Sequence, residues 1–408
     1  MRTQVRSLAS SPLRIALALG TVCLVLAASA TPSGAATDRP DAVPGITLVE
    51  QRLIEIPDSR ILSLSPDGGS IAVARPAGSE ADRLCVHDTE TLVERFCTDV
   101  SDLEARLWAE TVVWSPDSQW LAFGEMWPLY FTDGDLWLMD ASTGVLTNLA
   151  DDELDGGWEG DFTLPQHPTF TPDSSAVTFA RTVVQDGQSA GADIATVPIL
   201  GGEAVPLDDS TRGSSHYYGL RWTPDESRLY VHIIDHQESG YGPDSGIWVY
   251  ETEAGPGRQL ISAADLDRGL ESIVAATPRG EQLLVRWAFS LDPKPLDRFA
   301  LIDGDSGAVE PLTSLRPKVR RSKPIIGATL SPDGSLLLTV SGGRGRQVAV
   351  RDLHGLQETV LLDVKPGSAP PDVSGGPATW AQNDTVFIPG GQARGTLLVL
   401  DRGDRGGT

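Results

Sequence analysis

The sequence has little cysteine, little histidine and few positive charges, and these shortages narrow the classes of protein to which it can belong. Its 408 residues include 3 Cys and 6 His, and 56 acidic residues outnumber 32 basic ones to give a net charge of −24. Nucleic acids and anionic membranes are bound by basic surfaces, so neither is expected as a partner. Surplus carboxylates keep an exported protein soluble and monomeric, and we expect a monomer. No cofactor is predicted.

A stretch long enough to span a membrane is also lacking near the N-terminus. Three arginines precede an apolar run from Ile15 to Ala30, and small residues follow it. The run is about 16 residues, whereas a spanning helix needs about 20. We therefore predict a secretory signal peptide over 1–36 and a linker over 37–45, with no stable membrane insertion after cleavage. An extracellular, periplasmic or cell-envelope location follows; an uncleaved anchor is the alternative.

One short turn recurs seven times, and it is the most regular feature of the chain. Each copy begins with an apolar residue, and the copies are 50 to 56 residues apart. A period of this length, with strand-like segments around a turn, is typical of β-propeller blades. The copies are LeuSerProAspGly (64–68), TrpSerProAspSer (114–118), PheThrProAspSer (170–174), TrpThrProAspGlu (222–226), AlaThrProArgGly (276–280), LeuSerProAspGly (330–334) and TrpAlaGlnAsnAsp (380–384).

Each unit reads as four strands, and the last unit reads as three. Residues 46–56 form a further strand-like segment before the first unit. Placing this segment as the outer strand of the last blade closes the ring and removes two open edges. We predict an all-β, seven-bladed propeller of four-stranded antiparallel blades over 46–401, followed by a flexible tail over 402–408. The acids that end most third strands are interpreted as turn residues: Asp88, Asp140, Glu251, Asp303, Asp352 and Asp401.

These turns, together with third strands that end in Asp, resemble the TolB-type β-propeller repeat. The resemblance spans about 46–401 and implies the propeller fold. Related propellers serve as periplasmic interaction modules, as substrate gates of peptidases and occasionally as enzymes, so the resemblance implies no single function. We identify no separate N-terminal domain of the TolB kind and no hydrolase domain after residue 401. Neither a Tol-system role nor a peptidase gate is therefore expected.

Function is expected in the long connections on one face, around the opening of the central channel. Aromatic and histidine residues of these connections could ring that opening and anchor a protein or carbohydrate, or could instead pack their own loops. They are Trp127, Tyr130, Phe131, His216, Tyr217, Tyr218, His236 and Tyr241.

A basic stretch on the same predicted face stands out against the acidic background. It could receive a carboxylate- or phosphate-bearing partner, or offset nearby acids as a solvated loop. Its charged residues are Arg316, Lys318, Arg320, Arg321 and Lys323.

An acidic stretch partly imitates a calcium loop, although Phe162 stands where the bidentate Glu should be. Its oxygen donors are Asp151, Glu153, Asp155 and Glu159, and no metal site is assigned firmly.

Cys85 and Cys97 flank a predicted hairpin, and a disulfide between them is expected in an exported protein. The strand register leaves them one position from direct opposition, so a bulge or a small slip is required. Two free buried thiols are the alternative.

The sequence therefore predicts an exported propeller that acts as a non-catalytic binding scaffold. Its partner would be an envelope or extracellular protein, or a glycan. The alternative is a propeller enzyme, such as a lyase or glycan-acting hydrolase, with a channel-facing histidine beside a carboxylate. His216 and His236 are the candidates for that role.

Overall fold

The structure is a computed structural model, and it consists of seven antiparallel sheets arranged in a ring. The described residues all belong to the compact unit Pro40–Thr408. They are 46–76, 82–103, 111–124, 134–150, 161–186, 188–207, 215–237, 240–252, 256–266, 270–287, 299–312, 325–341, 346–353, 358–364, 378–389 and 394–402.

In the first six blades the strands follow one another in chain order, from the innermost to the outermost. The first three blades comprise β2 to β13: Arg60–Leu64, Ser70–Pro76, Asp82–Asp88 and Glu94–Asp99; Val112–Trp114, Trp120–Gly124, Leu136–Asp140 and Leu146–Asn148; Phe162–Phe170, Ala176–Gln185, Gln188–Pro198 and Val205–Pro206.

The fourth, fifth and sixth blades comprise β14 to β26, with the short β16 paired to the end of β15. Their strands are Ser215–Trp222, Arg228–Gln237, Gly240–Tyr241, Gly246–Glu251 and Arg258–Ser262; Leu270–Ala276, Gln282–Trp287, Phe299–Asp303 and Val309–Pro311; Ile325–Leu330, Leu336–Ser341, Arg346–Asp352 and Glu358–Val364.

The seventh blade joins the two ends of the strand sequence and closes the ring. β27 (Thr379–Trp380), β28 (Thr385–Pro389) and β29 (Arg394–Asp401) are its inner strands. The outer strand is β1 (Thr47–Glu55), which pairs antiparallel to β29 from Thr47 opposite Asp401 to Glu55 opposite Arg394. The predicted closure is thus confirmed, and it removes the open edge that β29 would otherwise present.

The hydrophobic core is divided into seven clusters, one for each contact between neighbouring blades. The apolar residue that begins each copy of the repeated turn lies in the cluster shared with the preceding blade. Phe170, for example, packs with Ala122 and Leu138 of the second blade, and Leu64 packs with Phe387 of the seventh. Blades are apolar on both faces because each face is covered by a neighbour.

The repeated turn has the same geometry in all seven copies, including those at 276–280 and 380–384, whose sequences depart from the Ser/Thr-Pro-Asp pattern. The amide of its last residue donates to the carbonyl of the Ser, Thr or Ala three residues earlier, at 2.8–3.1 Å. In the first copy the Ser65 hydroxyl donates to Asp67 at 2.5 Å and accepts from the Ser70 amide at 2.9 Å. Asp67 in turn accepts from the Gly69 amide at 2.8 Å. The Ser and Asp of the motif therefore hold the turn together.

The last position of every turn has a positive φ. Glycine adopts this conformation without strain, and three copies have it there, with φ of 68° to 76°. The other four copies place Ser118, Ser174, Glu226 or Asp384 there, with φ of 59° to 63°.

The two cysteines of the first blade are joined by a disulfide, Cys85–Cys97. They lie directly opposite each other in β4 and β5, because a bulge after Val86 sets Glu94 rather than Arg95 opposite His87. The sequence register left the two cysteines one position apart, and this bulge removes that offset. Glu94 lies close to both sulfur atoms, but those atoms are committed to the disulfide.

Helix is almost absent from the described residues, where a single 3-10 turn, Ser101–Leu103, follows β5. In this part of the chain no helix has the length and apolar character that crossing a membrane requires.

Candidate functional site

The two ends of the ring differ in what joins the strands. In the third blade Phe170 pairs with Val177 beside the repeated turn, whereas Phe162 pairs with Val184 at the opposite end. We call the end that carries the seven repeated turns the turn end. The other end, where inner strands begin and second strands finish, is the loop end.

Acids at the turn end are engaged within their own hairpins. Asp140 accepts from the Ser142 hydroxyl at 2.6 Å and from two backbone amides, and Asp303 accepts in the same way from Ser306 at 2.7 Å. The serine hydroxyl in each case lowers the pKa of the carboxyl. Asp88 receives hydrogen bonds from Arg95 and Thr91, which lower its pKa further. The interpretation of these acids as turn residues is confirmed for these three.

Several sequence candidates lie outside the described residues. They are Trp127, Tyr130, Phe131, Arg316, Lys318, Arg320, Arg321 and Lys323, together with the calcium candidates Asp151, Glu153, Asp155 and Glu159.

Four further candidates are placed by their backbone at the loop end of the fourth blade. His216 pairs with Ile234 near the start of β14, and Tyr218 pairs with His232. His236 pairs with Tyr241 across the β15–β16 hairpin, which the sequence pattern did not predict. The strand ladder therefore brings these four backbone positions to one end of one blade.

Tyr217 is buried between the third and fourth blades. It lies in the cluster with Ala180 and Ile194, and its hydroxyl donates to the carbonyl of Ala192 at 3.2 Å. The ring therefore serves packing between blades. A bulge at Gly219 sets the register that turns Tyr217 inward, and this bulge has no clear sequence signal.

The third blade carries a charged pair that sequence reasoning missed. Arg181 donates to Asp193 through two nitrogens, at 3.0 and 2.7 Å, and Asp193 is almost fully buried. Both residues lie in the loop-end half of strands β11 and β12, opposite each other in register. A two-pronged pair of this kind fixes both side chains and stiffens this part of the scaffold.

Two histidines near the inner strands are held uncharged. His167 lies in a bulge of β10 with a φ of 52°, and burial lowers its pKa to about 4. His232, on β15, is 4% exposed, and its pKa is lowered to about 4, mainly by burial and also by the repulsion that would arise if it and His167 were both protonated. Both imidazoles are therefore neutral at pH 7. No motif surrounds either residue, so the sequence offered no signal for this pair.

The chain was compared with known proteins, and no family model and no curated protein matches it. Solved structures do match at low identity. A prolyl endopeptidase, one of two studied for the role of inter-domain dynamics in catalysis and specificity, has a TM-score of 0.50 and 14% identity, over 81% of this chain and 46% of that one. The Cps50 (Swd1) β-propeller domain of Myceliophteria thermophila has a TM-score of 0.50 and 11% identity, over 87% and 99%.

TolB from Acinetobacter baumannii has a TM-score of 0.38 and 15% identity, over 74% of this chain and 62% of that one. The chain thus spans about half the length of the endopeptidase and under two thirds of TolB. At such identities the likeness shows the fold alone. The chain is a seven-bladed β-propeller, similar in fold to part of a prolyl endopeptidase and to the Cps50 β-propeller domain.

Proposed function

We propose that this protein is an exported β-propeller that binds a partner at its loop end and performs no chemistry on it. The partner is an envelope or extracellular protein, or a glycan. The binding surface is formed by the aromatic connections and the basic stretch around Arg320 and Arg321. Loops held by a rigid scaffold are the usual place for recognition.

One observation carries this proposal, namely that the Ser and Asp side chains of the repeated turns form hydrogen bonds within their own turns. The hydroxyl and carboxylate of Ser331 and Asp333 bond each other at 2.5 Å and bond the backbone that follows them. The same arrangement recurs at Ser115 and Asp117. The engagement of these repeated side chains supports the loop end as the place where a partner binds.

Affinity capture tests the proposal. The immobilised full chain is exposed to envelope extract and to a glycan array, and the Arg320→Glu/Arg321→Glu variant is compared with the wild type. Arg258→Glu/Arg279→Glu is a charge-matched control, because Arg279 is exposed on the fifth turn and Arg258 lies at the turn-end start of β18. We expect loss of a reproducible partner in the first variant and retention in the control. Equal capture by all three proteins, or turnover of a captured glycan, contradicts the proposal.

Export is tested separately, because a cytoplasmic scaffold would bind equally well in an extract. The basic residues, short apolar run and small residues of 1–36 support a cleaved signal. We expect N-terminal sequencing of the mature protein, after expression in a bacterium that secretes, to begin close to residue 37. Retention of the intact N-terminus inside the cell would contradict export.

A further inference from the structure

Four side chains of types that bind metal ions share one face of the first blade. Cys85 and Cys97 lie directly opposite each other in β4 and β5, and His87 lies opposite Glu94 in the same two strands. Residues two apart in a strand point to the same face, so His87 is on the face of β4 that carries Cys85. Cys85 packs in the cluster between the seventh and first blades, so this face meets the seventh blade.

Three of these side chains lie within reach of one ion. A carboxylate oxygen of Glu94 and the sulfur atoms of Cys85 and Cys97 lie within 4.8 Å of one another. In the described parts of the chain no other group of three Cys, His, Asp or Glu residues is placed so closely. Glu94 is exposed and Cys97 is half-buried, so an ion can reach the group from solvent. Thiolates and a carboxylate at these separations suit Zn²⁺, which takes four ligands at about 2.0–2.3 Å.

His87 adds a nitrogen with an unused lone pair opposite Glu94. Its Nδ1 lies 3.0 Å from the carbonyl oxygen of Leu92, which can only accept, so Nδ1 carries the proton of the neutral ring. Nε2 is enclosed and has no hydrogen-bond partner among the described residues, and His87 is 2% exposed. Histidines that bind metals commonly donate one ring N–H to a carbonyl or carboxylate and present the other nitrogen to the ion.

Arg75 occupies the place of a cation beside this group. Its Nη1 donates to Glu94 Oε2 at 2.6 Å, and both side chains are about one third exposed. The guanidinium therefore balances the carboxylate while the two sulfur atoms are joined. An ion pair with this exposure is weak, so a divalent ion that is also held by two thiolates can displace Arg75 from Glu94.

We propose that Cys85, Cys97, Glu94 and His87 bind one zinc ion when the disulfide is reduced. A dithiol reductant transfers two electrons and two protons to the sulfur–sulfur bond, which gives two thiols and leaves the reductant as a disulfide. Zinc then binds both sulfur atoms as thiolates, and the two protons are released. The disulfide excludes zinc in an oxidising compartment, and the zinc site forms where thiols stay reduced. This site is separate from the loop-end surface and independent of the proposed function.

Calorimetric titration of the full chain with zinc chloride, before and after reduction by a phosphine, tests the site. We expect the reduced wild type to bind one zinc ion that the oxidised protein does not bind. Glu94→Gln and His87→Gln should each weaken this binding at least about tenfold, and Cys85→Ser/Cys97→Ser should abolish it. Arg75→Gln is the matched control, because it removes the same ion pair as Glu94→Gln but keeps every ligand. It should bind zinc at least as tightly as the wild type.

Absorption and stability give two further readouts. Cobalt(II) bound by thiolates absorbs in the near ultraviolet, whereas cobalt(II) on surface carboxylates does not, so the reduced wild type should show this band. Zinc should raise the unfolding temperature of the reduced wild type but not of Cys85→Ser/Cys97→Ser. The proposal is overturned if the reduced wild type binds no zinc or lacks the cobalt band, or if Glu94→Gln or His87→Gln binds as tightly as the wild type. It is also overturned if Arg75→Gln loses binding to the same degree as Glu94→Gln.

Discussion

The turn end and the loop end are built from the same strands, yet the turn end repeats in every blade and the loop end does not. At the turn end one backbone hydrogen bond and one positive φ recur seven times. Towards the loop end the second strand of a blade varies from 5 residues in Trp120–Gly124 to 10 in Ala176–Gln185. The comparison teaches that the repeat maintains the ring, and for this reason we propose that a partner is recognised by the parts that depart from the repeat.

The largest effect is expected from removing the strand that closes the ring. Deletion of 46–56 exposes the edge of β29 and removes Ile54 and Ile56 from the cluster between the seventh and first blades. We expect cooperative thermal unfolding to be lost, as followed by calorimetry. A deletion variant with an unchanged melting profile would show that the closure is dispensable.

A cavity between blades should have the next largest effect. Phe179 is 1% exposed and packs with Phe170 and Ala195 between the second and third blades. Phe179→Ala should lower the free energy of unfolding by about 3–5 kcal/mol in denaturant titration. Leu200→Ala is the control, because Leu200 is 93% exposed and its loss should change stability by less than about 0.5 kcal/mol. Similar losses for both variants would refute the placement of the core.

As pH falls, protonation of the histidines should lower stability at a higher pH than protonation of the turn-end carboxylates does. His232 has a pKa of about 4 in the folded protein and about 6.5 when unfolded, so between these values the unfolded state takes up the proton. Stability is therefore lost as pH falls from about 6.5 to about 4, by up to about 3 kcal/mol for this group. His232→Gln should flatten the pH dependence in this window, as measured by denaturant titration.

Asp303→Asn is the control for that pH dependence. Because the pKa of Asp303 is lowered in the folded protein, the stabilisation from this carboxylate is lost only as pH falls below about 4. The Asp303→Asn variant should therefore keep the wild-type dependence of stability on pH between about pH 4 and 6.5. A wild-type slope in His232→Gln would contradict the assignment of the acid sensitivity to the imidazole.

The smallest effect is expected from substituting glycine at the last position of the repeated turn, where two copies should respond differently. Glu226 has a φ of 62°, and Glu226→Gly should raise the free energy of unfolding by up to about 1 kcal/mol because glycine relieves that strain. Ser118 has a φ of 63°, but its hydroxyl also accepts the Asp67 amide of the neighbouring blade at 3.0 Å. Ser118→Gly should therefore gain nothing, and an equal gain in both variants would show that this bond is not stabilising.

The sequence predicted the repeating parts of the fold well. The seven copies of the turn predicted the number of blades, and the missing last strand predicted the pairing of β1 with β29. These features depend on local turn chemistry and on alternation, which a single chain carries in its own order.

The sites were less predictable, because they depend on neighbours from other blades. Whether Tyr217 faces a core or a solvent opening depends on the bulge at Gly219, and the pairing of Arg181 with Asp193 depends on the register of two strands.

The most direct test of the division between the two ends measures stability and partner capture on the same pair of variants. Ser331→Ala removes a buried hydroxyl that accepts the Leu336 amide at 3.0 Å, and it should cost about 1 kcal/mol while capture is unchanged. Arg320→Glu/Arg321→Glu should abolish capture while the free energy of unfolding is unchanged. Capture lost in Ser331→Ala and retained in the double variant would contradict the account.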